Sequence, residues 1–246
     1  MQIQRLRRYN LIAGIAHLGQ AVAVLVLANG FALPVTASYW GGQPGPSTDR
    51  QAHTFFNLSF AGGVAAFFLL SAVAHLLIAG PLWERYQRQL GLKRNPYRWV
   101  EYSLSASLML VLIAMLTGIS DLSALLAIAG VNASMIGFGW MQERYEEPGG
   151  SLQPFWLGCI AGIIPWVAIG IYLISPGASQ HAPGFVYGIY VSIFAFFNVF
   201  AAVQWLQYRK VGRFANYLVG ERAYITLSLV AKSLLAWQVF SGTLAS

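Results

Sequence analysis

Seven long runs of apolar residues alternate with shorter polar connections along the chain. The runs cover about 8–30, 53–79, 97–118, 121–142, 152–175, 183–207 and 217–242. A helix needs about 20 apolar residues to cross the hydrocarbon core of a bilayer, and each run has about that length. Charged residues make up only 9% of the 246 positions, whereas soluble domains contain about 25%. The pattern predicts an all-α membrane protein in which residues 1–246 form one domain, a seven-helix bundle.

Positive charge is concentrated on one side of this predicted bundle. Of the 15 lysine and arginine residues, all except Arg50 and Lys232 lie in the N-terminal segment or around the second, fourth and sixth connections. Cytoplasmic connections carry an excess of these residues in membrane proteins. With seven spans in the cell membrane, the N-terminus is cytoplasmic, the C-terminus is extracellular, and the basic connections all lie on the cytoplasmic side. Six or eight spans would return the C-terminus to the basic side and do not fit this distribution of charge. The net charge of +7 is thereby explained by topology, which argues against nucleic-acid binding.

The longest connection, about residues 34–52, lies on the predicted outer side. Proline and glycine in it argue against a helix. Four residues that favour β-structure precede a Gly-Gly pair and predict a short hairpin: Val35, Thr36, Tyr39 and Trp40. The exposed aromatics there suggest a partner surface for a second copy of the protein, giving a homodimer. An ordered cap that rests on its own bundle is an equally good interpretation.

Glu101 and Lys232 are the formally charged residues that fall clearly within apolar runs. A charged residue at the centre of a span costs about 2.5–3.5 kcal/mol on insertion scales and normally has a partner. The third and seventh runs cross in the same direction, and side chains lean toward the helix N-terminus. The lysine therefore reaches back toward the level of Glu101. These residues alone allow either a structural ion pair or a reactive amine with a nearby carboxylate.

A buried lysine has a specific chemical use. Burial favours the neutral form of an amine, which can attack an aldehyde. The protonated imine that results needs a negative partner in a medium of low dielectric constant, and Glu101 supplies one. Ser228 lies one helical turn before Lys232 and offers a hydroxyl but no charge. A serine that hydrogen-bonds its own helix backbone is the alternative.

Five segments resemble the heliorhodopsins. They are GERAYITLSLVAKSLLAWQ (220–238), RWVEYSLS (98–105), GVNASM (130–135), PFWLGCIAG (154–162) and PGFVYG (183–188). The resemblance runs from about residue 9 to the C-terminus and keeps the family order of motifs. Type 1 microbial rhodopsins usually have an aspartate four residues before the retinal lysine, whereas heliorhodopsins have a serine, as at Ser228. The inverted orientation inferred from charge is also the heliorhodopsin one.

The resemblance implies a light-driven function. All-trans retinal would be bound to Lys232 as a protonated Schiff base with Glu101 as its counterion. Light would isomerise it to 13-cis, the base would lose its proton, and a slow photocycle would follow. The family generally lacks ion transport, so the implied role is light sensing through a cytoplasmic signalling partner of unknown identity. No enzymatic activity is expected.

The resemblance also assigns residues around the retinal. Ser105 and Asn132 match positions that hydrogen-bond near the Schiff base. Residues matching the retinal pocket are Met135, Trp156, Pro165, Phe197 and Gln204.

Two histidines match a polar cavity on the cytoplasmic side of heliorhodopsins. They are His17 and His75, and Gln20 and Ser71 lie one turn from them on the same helices. A histidine can take up a proton near neutral pH. The alternative is a pair of hydrogen-bonded core histidines that only hold water.

Two other functions are compatible with the residues. One is a light-driven or light-gated proton or ion transporter, although the outer half of the bundle offers only Asp121, at a span edge. The other is a retinal-free bundle in which Glu101 and Lys232 are structural. The sequence contains no metal-ligand cluster, glycine-rich phosphate loop or nucleophile–base arrangement, so neither a metal site nor a catalytic residue is predicted.

Overall fold

Seven membrane-spanning helices form the body of the protein. The computed structural model describes residues 2–45 and 49–245, and within these residues seven helices are long and apolar enough to cross a membrane. The spanning helices are α1 (Gln2–Leu27), α2 (Phe60–Ala79), α4 (Pro96–Leu116), α5 (Leu122–Tyr145), α6 (Gln153–Ile174), α7 (Gly184–Tyr208) and α8 (Tyr217–Val239). The predicted number of spans is confirmed.

Polar side chains mark where several of these helices begin. Ser59, Asn95, Asp121 and Asn216 each accept a hydrogen bond from a backbone N–H of the first turn of α2, α4, α5 and α8, respectively. Such caps satisfy donors that have no partner within the helix. Pro96 follows Asn95 at the start of α4, a position where a missing N–H has no cost. Local sequence therefore sets these helix starts.

A β-hairpin covers one end of the bundle. Strands β1 (Ala32–Trp40) and β2 (Arg50–Ser59) pair antiparallel, with a bulge between Val35 and Thr36. The predicted hairpin is confirmed, but the prediction that residues 53–59 begin the second span is wrong. These residues pair with β1, and the cap at Ser59 starts α2 only at Phe60. We call this end of the bundle the hairpin side and the opposite end the N-terminal side.

The hairpin is held to the helices at two places. Thr36 donates its N–H to Ser120 O at 2.8 Å, and the two hydroxyls lie 3.0 Å apart. Asn29, just before β1, donates its N–H to Leu244 O at 3.0 Å. Leu244 ends a short π-helical segment, Phe240–Leu244, that continues α8. The hairpin is thus fixed to both the α4–α5 connection and the end of α8.

A short helix that the sequence did not predict lies on the N-terminal side. Helix α3 (Trp83–Gly91) follows α2 and buries Trp83, Tyr86 and Leu90, while its charged residues face outward. Arg7 from α1 donates to Ala79 O at 2.8 Å and lies over the Trp83 ring at 5.5 Å. The helix therefore packs along the bundle end.

Apolar side chains fill the inside of the bundle and also cover its outside. The largest buried cluster joins α2, α4 and α5 to α7 and α8. On the outside, leucine, isoleucine and valine remain exposed, as at Ile12, Val26 and Ile160. An apolar exterior of this extent suits hydrocarbon rather than water.

Candidate functional site

Lys232 and Glu101 form an ion pair in the centre of the bundle. Lys232 Nζ on α8 lies 2.9 Å from Glu101 Oε1 on α4, and both side chains are about 95% buried. Lys232 Nζ also donates to Ser228 Oγ at 2.7 Å, one turn back along α8. The structure thus brings together the three residues that the sequence singled out first. A buried amine in this position has one carboxylate and one neutral acceptor within hydrogen-bonding distance.

Two serines surround the Glu101 carboxylate. Ser71 on α2 donates to Glu101 Oε1 at 2.6 Å, so it contacts this carboxylate directly. Ser105 lies one turn after Glu101 on α4 and faces the same carboxylate. Its hydroxyl is fully buried and makes no hydrogen bond of normal geometry. The Ser71 hydroxyl therefore satisfies part of the hydrogen-bonding capacity of this buried carboxylate.

A large apolar cavity begins at Lys232. Its volume is about 190 Å³. Lys232 and Ser228 form one part of the wall, and aromatic side chains form much of the rest, including Tyr102, Trp166 and Phe197. Ligand pockets are typically apolar with a few placed polar groups. The cavity therefore suits a long apolar ligand that ends at the lysine.

Three of the predicted pocket residues line this cavity: Met135, Phe197 and Gln204. Gln204 on α7 donates its side-chain amide to Gly139 O on α5 at 2.9 Å. Met135 packs where Gly162 on α6 leaves room, because a Cβ there would collide with the Met135 sulfur. Helices α5, α6 and α7 therefore all contribute to the wall of the cavity.

Three other predicted residues do not line the cavity. Trp156 is 53% exposed and points away from the cavity, which its neighbour Phe155 lines instead. Pro165 is buried within α6 but is not part of the wall, whereas the next residue, Trp166, is. Asn132 is buried in α5 and donates to Ser107 Oγ on α4 at 3.0 Å.

Several cavity residues were not predicted from the sequence. They are aromatic residues in apolar runs that contain many aromatics: Trp99, Tyr102, Phe155, Trp166, Phe194, Phe200 and Tyr224. Spacing offered one signal, since Tyr102 directly follows Glu101 and Trp99 lies three residues, about one turn, before Tyr102 on the same helix. Trp166 offered another, since it follows a proline in the middle of a span.

His17 and His75 stack on each other near the ion pair. Their ring centroids lie 5.7 Å apart with an interplanar angle of 13°. His75 Nδ1 lies 2.8 Å from Asn10 Oδ1, so this nitrogen carries the proton. Neither nitrogen of His17 has a hydrogen-bond partner among the described residues. Gln20 lies apart from this pair, because its side chain accepts from Trp237 Nε1 at 3.1 Å.

A second buried charge cluster lies on the N-terminal side of the ion pair. Arg98 pairs with Glu143 at 2.6 Å and with Glu221. The sequence assigned Arg98 to the basic connections because a charge at a span end resembles a topological signal. In the structure its side chain is 95% buried.

A small cavity lies between this cluster and the ion pair. Glu101, His75, Arg98, Tyr102 and Glu221 all contribute to its wall. Its volume of about 20 Å³ is enough for one water molecule. Tyr102 also lines the large cavity, so its ring separates the two spaces. No group of three or more His, Cys, Asp or Glu side chains within residues 2–45 and 49–245 is arranged to bind a metal ion.

Known proteins are similar to this chain in sequence family and in fold. A family model described as Heliorhodopsin matches residues 6–244. The crystal structure of Exiguobacterium sibiricum rhodopsin has a TM-score of 0.63 and 16% sequence identity, covering 99% of this chain and 97% of that chain. At this identity the similarity concerns the fold alone. No curated protein matches the sequence significantly.

Proposed function

Since the chain belongs to the heliorhodopsin family, we propose that it is a retinal-binding photoreceptor that senses light without pumping ions. The family and the fold are those of light receptors rather than enzymes. The observation that carries the proposal is the buried Lys232 amine at the boundary of a large apolar cavity.

The residues of the site fit retinal. A primary amine with a carboxylate at 2.9 Å suits an aldehyde that is held covalently. An aromatic wall suits a flat polyene and its ring. Lys232 would hold retinal through Nζ. When bound, retinal supplies absorption of visible light and isomerisation from all-trans to 13-cis.

The protein's own groups determine where charge and protons lie. Glu101 keeps a negative charge beside Lys232 Nζ, and Ser71 donates to that carboxylate. Ser228 accepts a hydrogen bond from the same nitrogen and so fixes its direction. After light absorption, Nζ loses its proton to a group on the N-terminal side. The slow return of this proton to Nζ sets the lifetime of the signalling state.

The distribution of acidic residues supports sensing over pumping. A pump needs ionisable groups in both half-channels. The hairpin side has only Asp49 in the hairpin turn and Asp121, whose side chain caps α5, among the eight acidic residues, all of which lie in the described part of the chain. Between Lys232 and the hairpin side the bundle therefore has no carboxylate to pass a proton onward. The buried carboxylates, Glu101, Glu143 and Glu221, lie at the ion pair or on its N-terminal side.

Reconstitution with all-trans retinal tests the proposal. Membranes that contain the protein are expected to become coloured, and Lys232→Ala is expected to remove the visible band. Lys93→Ala, which removes an exposed lysine far from the site, is the matched control and should keep the colour. A parent protein that stays colourless contradicts the proposal.

Illumination of unbuffered cells separates sensing from transport. We expect no steady change of external pH in cells that express the coloured protein. A light-dependent change that a protonophore abolishes would instead identify a transporter.

The hairpin supports a proposal about partners. Tyr39, Phe55 and Phe56 each have about half of their surface exposed at the hairpin side. We propose that this surface contacts a second copy of the chain and that the cytoplasmic partner binds at the opposite end. The dimer is tested by comparing the mass of the parent protein in detergent with the mass of the Phe55→Ser variant in the same detergent.

A further inference from the structure

The buried charges around Arg98 do not balance. Arg98, Glu143 and Glu221, here called the Arg98 cluster, contain one cation and two carboxylates, and each residue is at least 94% buried. The proposed function uses none of them. An unbalanced charge in a medium of low dielectric constant is costly and attracts a proton. The two carboxylates, Glu143 and Glu221, differ in their ability to receive this proton.

Glu143 is already fully engaged. Its Oε1 accepts from Arg98 at 2.6 Å and from Tyr217 Oη at 2.9 Å. Its Oε2 accepts from Trp99 Nε1 at 2.6 Å and from the N–H of Asn95 at 2.8 Å. These four donors, one of them charged, occupy both oxygens of the carboxylate. Glu143 is therefore the permanent partner of Arg98.

Glu221 is the surplus carboxylate. It accepts from Asn95 Nδ2 at 2.8 Å and from Tyr86 Oη at 3.3 Å, and it pairs with the Arg98 guanidinium that Glu143 shares. Burial raises the pKa of Tyr86 to about 12, so this phenol remains a donor at neutral pH. Every contact that Glu221 makes is with a donor, which favours its ionised form in the dark.

Glu221 also has access to the ion pair. It lines the small cavity that Glu101 lines from the other side, whereas Glu143 does not line that cavity. A water molecule fits there and can carry a proton between the two carboxylates. Glu101 in turn contacts Lys232 Nζ. The three groups therefore form a continuous route from the lysine to the Arg98 cluster.

We propose that Glu221 is the acceptor of the proton that leaves Lys232 Nζ after light absorption. The inference rests on the proposed function. The N–H bond at Nζ breaks and an O–H bond forms on Glu221, with Glu101 and the cavity water passing the proton. The nitrogen loses its positive charge and the Arg98 cluster loses its surplus negative charge, so the net charge of the protein is unchanged.

Glu221 is a better acceptor than the histidines next to the route. A proton on His75 or His17 would create a new buried cation, whereas a proton on Glu221 removes a buried anion. Titratable groups surround Glu221 from five helices: Tyr86 from α3, Tyr97, Arg98, Glu101 and Tyr102 from α4, His75 from α2, Glu143 from α5, and Tyr217 and Tyr224 from its own helix.

Light-minus-dark infrared spectra of the retinal-loaded protein test the inference. We expect a positive band in the C=O stretching region of protonated carboxylic acids. Glu221→Gln should abolish the band, while Glu84→Gln, an exposed carboxylate on α3 outside the cluster, should leave it in place. A band that persists in Glu221→Gln, or a negative band at this position, overturns the inference.

A second measurement needs no retinal. In the retinal-free protein, the C=O band assigned to Glu221 by comparison with Glu221→Gln should be absent at neutral pH and appear on acidification. Tyr86→Phe removes one donor to Glu221, so the band should appear at higher pH and at a shifted frequency. This variant keeps both charged partners and carries the test if Glu221→Gln does not fold. A Glu221 C=O band already present at neutral pH overturns the inference.

The two proposals fail in different ways. A parent protein that takes up no retinal contradicts the proposed function, while the dark titration still reports on Glu221. A coloured protein that responds to light without a Glu221 band contradicts only the assignment of the acceptor.

Discussion

The pair of Lys232 and Glu101 shows how single residues can define a membrane site. Each is costly in lipid alone, and the 2.9 Å contact compensates both. The same contact leaves the lysine beside an apolar cavity instead of within a closed salt-bridge network. Stability and reactivity therefore depend on the same two side chains.

Removal of one partner should destabilise the retinal-free protein strongly. We expect Glu101→Gln to lower the free energy of unfolding by about 3–5 kcal/mol, because it leaves the buried ammonium without a counter-charge. Lys232→Met should have a similar effect, and the double variant should recover much of the loss. Unfolding in mixed micelles measures all three.

An exposed carboxylate provides the control for this cycle. Glu84→Gln on α3 should change the free energy of unfolding little, because surface charges contribute little. If the double variant at Glu101 and Lys232 lost as much free energy of unfolding as the two single variants together, the two side chains would not stabilise each other.

Residue-level prediction from the sequence succeeded where the chemistry was unusual for its surroundings. Lys232, Glu101 and Ser228 were found because polar groups are rare in apolar spans. Trp156 was assigned to the pocket and lies outside it, since aromatic residues are common on every face of a span. The Arg98 cluster was missed because charges near span ends resemble the residues that set topology.

The contact between α4 and α5 shapes the large cavity. Gly139 on α5 faces the Trp99 ring, and a Cβ there would lie 2.7 Å from Trp99 Cζ3. Trp99 cannot move freely, because its Nε1 donates to Glu143 at 2.6 Å. Because Gly139 has no side chain, the Trp99 ring can pack against α5, where it forms one wall of the cavity.

Substitution of Gly139 should disturb the cavity without touching the ion pair. Gly139→Ala is expected to shift the visible absorption maximum of the retinal-loaded protein and to cost about 1–3 kcal/mol of stability through overpacking. Gly137→Ala lies on the same helix with no atom within 4 Å of the added Cβ, and it should keep the parent spectrum. Equal spectra for both variants would contradict the assignment of Trp99 to the wall.

At the level of elements, the sequence predicted spans better than their ends. Residues 53–59 were included in the second span because they lead directly into its apolar run, yet they form part of β2. In the structure these residues pair with β1, which precedes them across a glycine-containing turn. This pairing supplies hydrogen bonds to their backbone N–H and C=O groups. Periodicity within 53–59 could not reveal that partner.

The orientation of the whole bundle is a prediction from charge. The N-terminal segment and the connection that contains α3 lie at the same end, together with most of the lysine and arginine residues. The positive-inside rule places this end in the cytoplasm. The number of spans could be counted from the sequence, but the packing order of the helices required the structure.

Single cysteines test this orientation. In a Cys159→Ser background, a membrane-impermeant thiol reagent should label Gly42→Cys in the hairpin turn of intact cells. Lys93→Cys, after α3, should react only after lysis. The reverse labelling pattern would place the N-terminus outside.

The ion pair at the centre of the bundle can form only late in the synthesis of the chain. Glu101 and Lys232 are 131 residues apart in the chain. At about 5–20 residues per second, Glu101 is made roughly 7–26 s before its lysine. During that interval the nascent protein carries a carboxylate in its third span with no amine to match it. Helix α8 therefore completes the site, and a chain truncated before it can neither neutralise Glu101 nor capture an aldehyde.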